Sequence, residues 1–149
     1  MKTTPFFNIL LADDDEDDCY FFQQALEELS IAASLTIAKD GEQLMQTLTI
    51  PSNTLPDVLF LDLNMPRKTG FECLLEIKTH EKLKQLPVII YTTSMNYESV
   101  NFLYEKGAHH YICKQGEFAK LKKVILEALA TIAQNEPVQP LKENFIIQV

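Results

Sequence analysis

The 149-residue chain is 46% hydrophobic and 23% charged, the balance of a globular domain large enough to bury a core without staples. A net charge of −8 argues against sequence-independent nucleic-acid binding, which needs clustered Lys and Arg to displace counterions. No apolar stretch approaches a membrane span and the N-terminus has no signal region, so a cytoplasmic chain with no membrane partner is expected.

Strand-like and helix-like patterns alternate along the chain. A first strand over residues 6–12 precedes a helix from near Asp17 to Ser30, with Cys19, Phe22, Leu26 and Leu29 on one face. The acids Asp15 to Asp18 read as a solvated loop and helix start, complementing the helix dipole. Residues 35–38 form a short second strand, and Asp40-Gly41 turns into a helix over 42–48. After a loop over 51–56, a third strand covers 58–61. The polar stretch 64–70 leads into a helix carrying Phe71, Leu74, Leu75 and Ile77. Pro87 opens a fourth strand, an acceptable place for a residue that cannot donate to the ladder. A helix over 97–106 ends at Gly107, a fifth strand covers 110–113, and a last helix runs over 118–135.

Five βα units predict an α/β domain, a doubly wound five-stranded parallel sheet with helices on both faces in the flavodoxin-like (βα)5 manner. The domain is placed at residues 1–136. Residues 137–149 form a tail whose Phe145-Ile146-Ile147 is too apolar for a disordered end, so it docks on its own domain or meets a partner or second copy. Cys19, Cys73 and Cys113 lack pairing or zinc spacing and read as small buried apolar residues.

Four apolar runs each end on a polar residue. Residues 9–12 lead into Asp13-Asp14, 58–61 into Asp62, 88–91 into Thr92, and 111–113 into Lys114. Ligands of open α/β sheets bind outside the carboxyl ends of such strands, so these groups converge. Three gathered carboxylates repel by several kcal/mol at an effective dielectric of about 20, and a hard dication offsets that cost. Magnesium suits the set: Asp14 and Asp62 as direct ligands, Asp13 through water, and a backbone carbonyl near Asn64. Lys114 and Thr92 would hold an anion with three oxygens from the other sides. Asp62, on the central strand, is the candidate to attack phosphorus and form an acyl phosphate.

These stretches, Ile9 to Asp15, Leu61 to Pro66, Pro87 to Thr93 and Gly107 to Lys114, resemble in order and spacing the response-regulator receiver domain of two-component signalling. The resemblance covers residues 6–135. It implies a non-enzymatic signalling module in which Asp62 takes a phosphoryl group from a sensor histidine kinase or phosphotransfer protein. It also implies Mg2+ at Asp13, Asp14, Asp62 and the Asn64 carbonyl, with Thr92 and Lys114 on the phosphoryl oxygens. Thr92 and Tyr111 would act as the switch. A downstream protein would bind the face of fourth helix, fifth strand and fifth helix.

Departures from the family pattern matter. Gln115 replaces the usual proline after Lys114, and a cis bond without proline costs about 2.5–4 kcal/mol, so a trans bond and a rearranged loop are expected. Thr93 replaces a very small residue and should narrow access to the phosphoryl group. Asn64 and Ser94 sit where the family tunes dephosphorylation. Within the family, 92–94, the missing proline and the tail resemble small stand-alone receivers paired with phytochrome-type kinases, which implies a homodimer through the tail and last helix.

Rival readings fare worse. An EF-hand through Asp13, Asp15 and Asp17 would need glycine at Asp18 and glutamate at Gln24. Gly41, Gly70, Gly107 and Gly116 form no phosphate loop. A degenerate receiver acting as a constitutive binding module would be expected to lack part of the set. With no room for an output domain after Asn135, action through protein binding is expected: a motor contact, a relay intermediate or a phosphate sink.

Overall fold

The computed structural model describes residues 6–51, 54–93, 95–114, 116–134 and 138–148. Strands β1 (Phe7–Ala12), β2 (Ala33–Ala38), β3 (Val58–Leu61), β4 (Val88–Thr92) and β5 (His110–Cys113) alternate with helices. These are α1 (Glu16–Glu28), α2 (Gly41–Thr49), α3 (Gly70–Thr79), α4 (Tyr97–Glu105) and α5 (Phe118–Gln134). A short 3-10 turn (Lys142–Asn144) leads to a further strand, β6 (Ile146–Ile147). All pairings are parallel, in the order β2-β1-β3-β4-β5-β6.

Alternate strand residues feed two cores. Ile9, Leu11, Phe60, Ile89, Tyr91 and Ile112 pack with α1 and α5. Leu10, Leu59, Leu61, Val88, Ile90 and Tyr111 pack with α2, α3 and α4 on the opposite face. Each such side chain contributes about 1.5–3 kcal/mol of transfer free energy. Covered on both faces, β3 and β4 are buried at every position, which is why they read as unbroken apolar runs. The strand order reverses between β1 and β3, so a crevice opens at their carboxyl ends.

Local chemistry fixes the helix starts. Asp15, Asp40, Thr69 and Asn96 each accept backbone N–H groups of the following first turn, and Thr69 with Glu72 completes a capping box. With Asp15 as the cap, α1 starts one residue earlier than the periodicity suggested. It ends at Glu28, before Ser30 turns to φ +54°. Strand β2 begins two residues early, because Phe7 and Asn8 of β1 pair with Ala33 and Ser34. Gly107 follows α4 at φ +100°, a conformation that disfavours any side chain.

The sheet has a sixth strand beyond the five expected. The edge of β5 would otherwise expose unpaired backbone groups. Tyr111 N instead donates to Phe145 O at 3.0 Å, and Ile112 pairs with Ile147. Gln139 Nε2 donates to the carbonyls of Tyr104 and Ala108 at 2.6 and 2.8 Å, and the Tyr104 hydroxyl to Pro140 O at 2.8 Å. Phe145 is fully buried between Tyr104 and Tyr111, with ring centroids 5.2 and 6.3 Å away.

His110 lies under this tail, its Nδ1 3.2 Å from Phe145 O. Burial disfavours the imidazolium and lowers its pKa from the usual 6.5, despite the carbonyl. The unfolded chain therefore takes the proton first, so stability is lost as pH falls below about 6.5. Asp13 acts in the opposite sense over the same range, so the His110 contribution is read as a difference: between pH 7 and 5.5 the urea midpoint of wild type should fall relative to that of His110→Gln. An identical pH dependence in the two proteins would show that His110 contributes nothing to it.

Candidate functional site

The carboxyl ends of β1, β3, β4 and β5 bring Asp13, Asp14, Asp62, Thr92 and Lys114 together. Carboxylate oxygens of Asp13, Asp14 and Asp62 lie within 4.8 Å of one another. Asp13 is fully buried, Asp62 is 5% exposed, and Asp14 faces solvent. Adjacent strand ends hold them in place: Asp62 N donates to Ala12 O at 2.9 Å, and Asp13 N to Ala38 O at 3.0 Å.

Lys114 is the cation of the cluster. Its backbone N–H donates to Thr92 O, which ties the end of β5 to that of β4. Its ammonium donates to Asp13 Oδ2 at 2.7 Å and Asp18 Oδ2 at 2.8 Å, and stands 3.6 Å from Asp62 Oδ2. The Tyr91 ring lies 5.1 Å below it. Burial opposes the charge, but the hydrogen bonds to Asp13 and Asp18 outweigh it and hold the ammonium above the usual lysine range.

The acids respond in the other direction. Burial raises the Asp13 carboxyl to about 6, against the bonds from Lys114 and the Asp15 amide. Asp62 is raised as well, chiefly by burial and further by the charge of Asp14, while Lys114 and the Asn64 N–H oppose. Such crowding marks a site that favours added positive charge.

Thr92 is fully buried, and its hydroxyl has no hydrogen-bond partner among the described residues. A buried unbonded hydroxyl is costly, and it leaves a donor free at the strand end. Tyr111 is buried on β5 against Phe145. Asn64 and Thr93 are exposed at the rim, and the Asn64 N–H reaches Asp62 Oδ1 only at 3.4 Å. Gly70 keeps the loop after β3 closed, since a Cβ there would overlap the Asp62 carbonyl oxygen. Ser94 and Gln115, and with Gln115 the peptide after Lys114, lie outside the described residues.

One expectation is overturned. Asp18 is not part of a purely solvated helix start: its side chain is 33% exposed and bonded to Lys114, the residue that follows β5. Nothing near Asp18 in sequence signals this, since its partner lies 96 residues away. Asp15 does start the helix, as its cap. Cys19 and Cys73 are buried, while Cys113 is half-buried with its thiol donating to Thr93 O at 3.5 Å.

The structure is a parallel doubly wound sheet with an acid cluster, a hydroxyl and an ammonium at its carboxyl edge. The response regulator receiver domain profile matches residues 9–126, and the chain belongs to that family. It is 35% identical over 121 residues to response regulator Rcp1 of Synechocystis sp., an alignment covering 78% of this chain and 82% of Rcp1. The phosphorylated cyanobacterial phytochrome response regulator RcpA superposes with a TM-score of 0.79 at 28% identity, over 87% of this chain and 96% of its own. The Mn2+-bound form of Rcp1 does so at 0.75 and 31%, over 91% and 99%. Among the described residues no helix is long and apolar enough to cross a membrane.

Proposed function

We propose that this chain is a phosphorylatable receiver of a two-component system, with Asp62 as acceptor. The observation that carries the reading is the joint placement of Asp62 with two further carboxylates, the Lys114 ammonium and the unbonded Thr92 hydroxyl. A kinase or phosphotransfer phosphohistidine is the donor: its P–N bond breaks, Asp62 Oδ forms the new P–O bond, and the imidazole departs with the electron pair and takes a proton.

The donor set fits a hard divalent cation. Its oxygens are all carboxylate, its negative charge exceeds what Lys114 neutralises, and exposed Asp14 leaves room for water ligands. Asp13, Asp14, Asp62 and the Asn64 carbonyl would hold Mg2+, which supplies charge neutralisation for phosphoryl oxygens. Lys114 and Thr92 hold the remaining oxygens. Thr92 and Tyr111 pass the change to the face of α4, β5 and α5, where a downstream protein or a second copy binds. Asn64, Thr93 and Ser94 at the rim set how readily water reaches the acyl phosphate. On this reading the protein works in the cytoplasm beside its kinase, and the likeness to phytochrome response regulators supports a photoreceptor-type donor.

Intact-mass measurement after incubation with acetyl phosphate and Mg2+ tests the acceptor. Wild type should gain one phosphoryl group and Asp62→Asn none. No gain in folded wild type, from acetyl phosphate or from a phosphorylated kinase, would instead favour a constitutive binding module.

A further inference from the structure

We propose that Asp18 is a positioning residue for Lys114, retaining the ammonium when a divalent cation takes over Asp13. The inference rests on the cation-binding reading above and concerns how the pocket makes room for the ion.

Lys114 has three N–H donors, and two are committed to Asp13 and Asp18 at near-equal distances. Both oxygens of Asp13 are also committed, Oδ2 to Lys114 and Oδ1 to the Asp15 amide at 3.0 Å. A dication among Asp13, Asp14 and Asp62 would meet the ammonium on a shared carboxylate, and like charges at that range repel strongly. Lys114 must yield Asp13, and what it keeps decides how costly that is.

Asp18 is suited to be what it keeps. It stands on the first turn of α1, outside the trio of acids whose oxygens converge. It therefore holds Lys114 without competing for the ion, while the Tyr91 ring supports the same ammonium from below. Lys114 stays beside Asp62, where a phosphoryl group would arrive. Without Asp18, the ammonium would be left with Asp13 and the more distant Asp62, both of them members of the acid trio that the ion would claim. Every binding event would then set the ion against each carboxylate the ammonium has left.

The test is the Mn2+ affinity of the whole chain, read from the electron paramagnetic resonance signal of free ion. Asp17→Ala serves as control, removing an equal charge from the preceding, exposed position of the same helical turn. Screened Coulomb attraction alone should cost each variant about twofold. Asp18→Ala should cost about five- to tenfold, and only about twofold in a Lys114→Ala background, because its further effect runs through the ammonium. Asp18→Asn, which keeps the side-chain volume, repeats the comparison should the alanine variant unfold. Equal losses in the Asp17 and Asp18 variants, or an undiminished Asp18 effect without Lys114, would overturn the proposal. Wild type that binds no Mn2+ would overturn it together with the reading it rests on.

Discussion

Replacing Lys114 by alanine should lower the unfolding free energy by about 3–5 kcal/mol at pH 7 in the presence of chelator, the cost of leaving buried charges unpaired. Asp13 and Asp62 are almost inaccessible to water and share this single ammonium. Without it they can only stay charged at high cost or take up protons. Their folded pKa values, already raised by burial, would rise further. An acid whose folded pKa exceeds its unfolded value is stabilised at low pH and loses that stabilisation as pH climbs through the window between the two. The variant should therefore weaken progressively from pH 5 to pH 8 and recover as the pH is lowered. Mg2+ offers a second rescue: at a hundred times its dissociation constant it should return about 2.7 kcal/mol, provided it binds only the folded chain. Urea titrations at three pH values, with and without Mg2+, check all of this. A loss under 1 kcal/mol in chelator would mean that the carboxylates are solvated after all.

Phe145→Ala should cost a similar amount, about 3–5 kcal/mol, from a residue only four positions before Val149. Its ring is fully enclosed and meets Tyr104 and Tyr111 at their edges, so truncation removes both transfer free energy and aromatic contact. The backbone should respond as well. The Tyr111 amide, which donates to Phe145 O, should exchange with solvent faster in the variant, whereas the β1–β3 amides should not. Unchanged urea stability and unchanged Tyr111 protection would show that the tail contributes little to the domain. Because Tyr111 belongs to the proposed switch, the same variant also asks whether the tail biases it.

The strand ends were legible because each apolar run stops where the strand leaves the hydrophobic layers and reaches the polar pocket. Ile9 to Ala12 and Val58 to Leu61 lie between two helical layers, so polarity appears abruptly at Asp13 and Asp62, where the strands end at the pocket. The turn at Asp40-Gly41 was nearly as clear, and in the structure Asp40 caps the helix that follows it. Boundaries slipped where pairing overruled local pattern. Ala33 and Ser34 carry no strand signal and are extended because Phe7 and Asn8 lie beside them.

The sequence by itself determined the parallel α/β architecture and the acids, hydroxyl and lysine that gather at its carboxyl edge. Periodicity and run length are local properties that every core strand must satisfy, and they leave a written trace. Tertiary structure alone decided that Ile146 and Ile147 extend the sheet, that Phe145 covers Tyr111, and that Asp18 shares Lys114 with Asp13. Those outcomes depend on groups from 34 to 101 residues apart in sequence meeting in space. A two-residue strand or a single acid in an acidic run has no periodicity of its own, so its partner becomes visible only once the chain has folded.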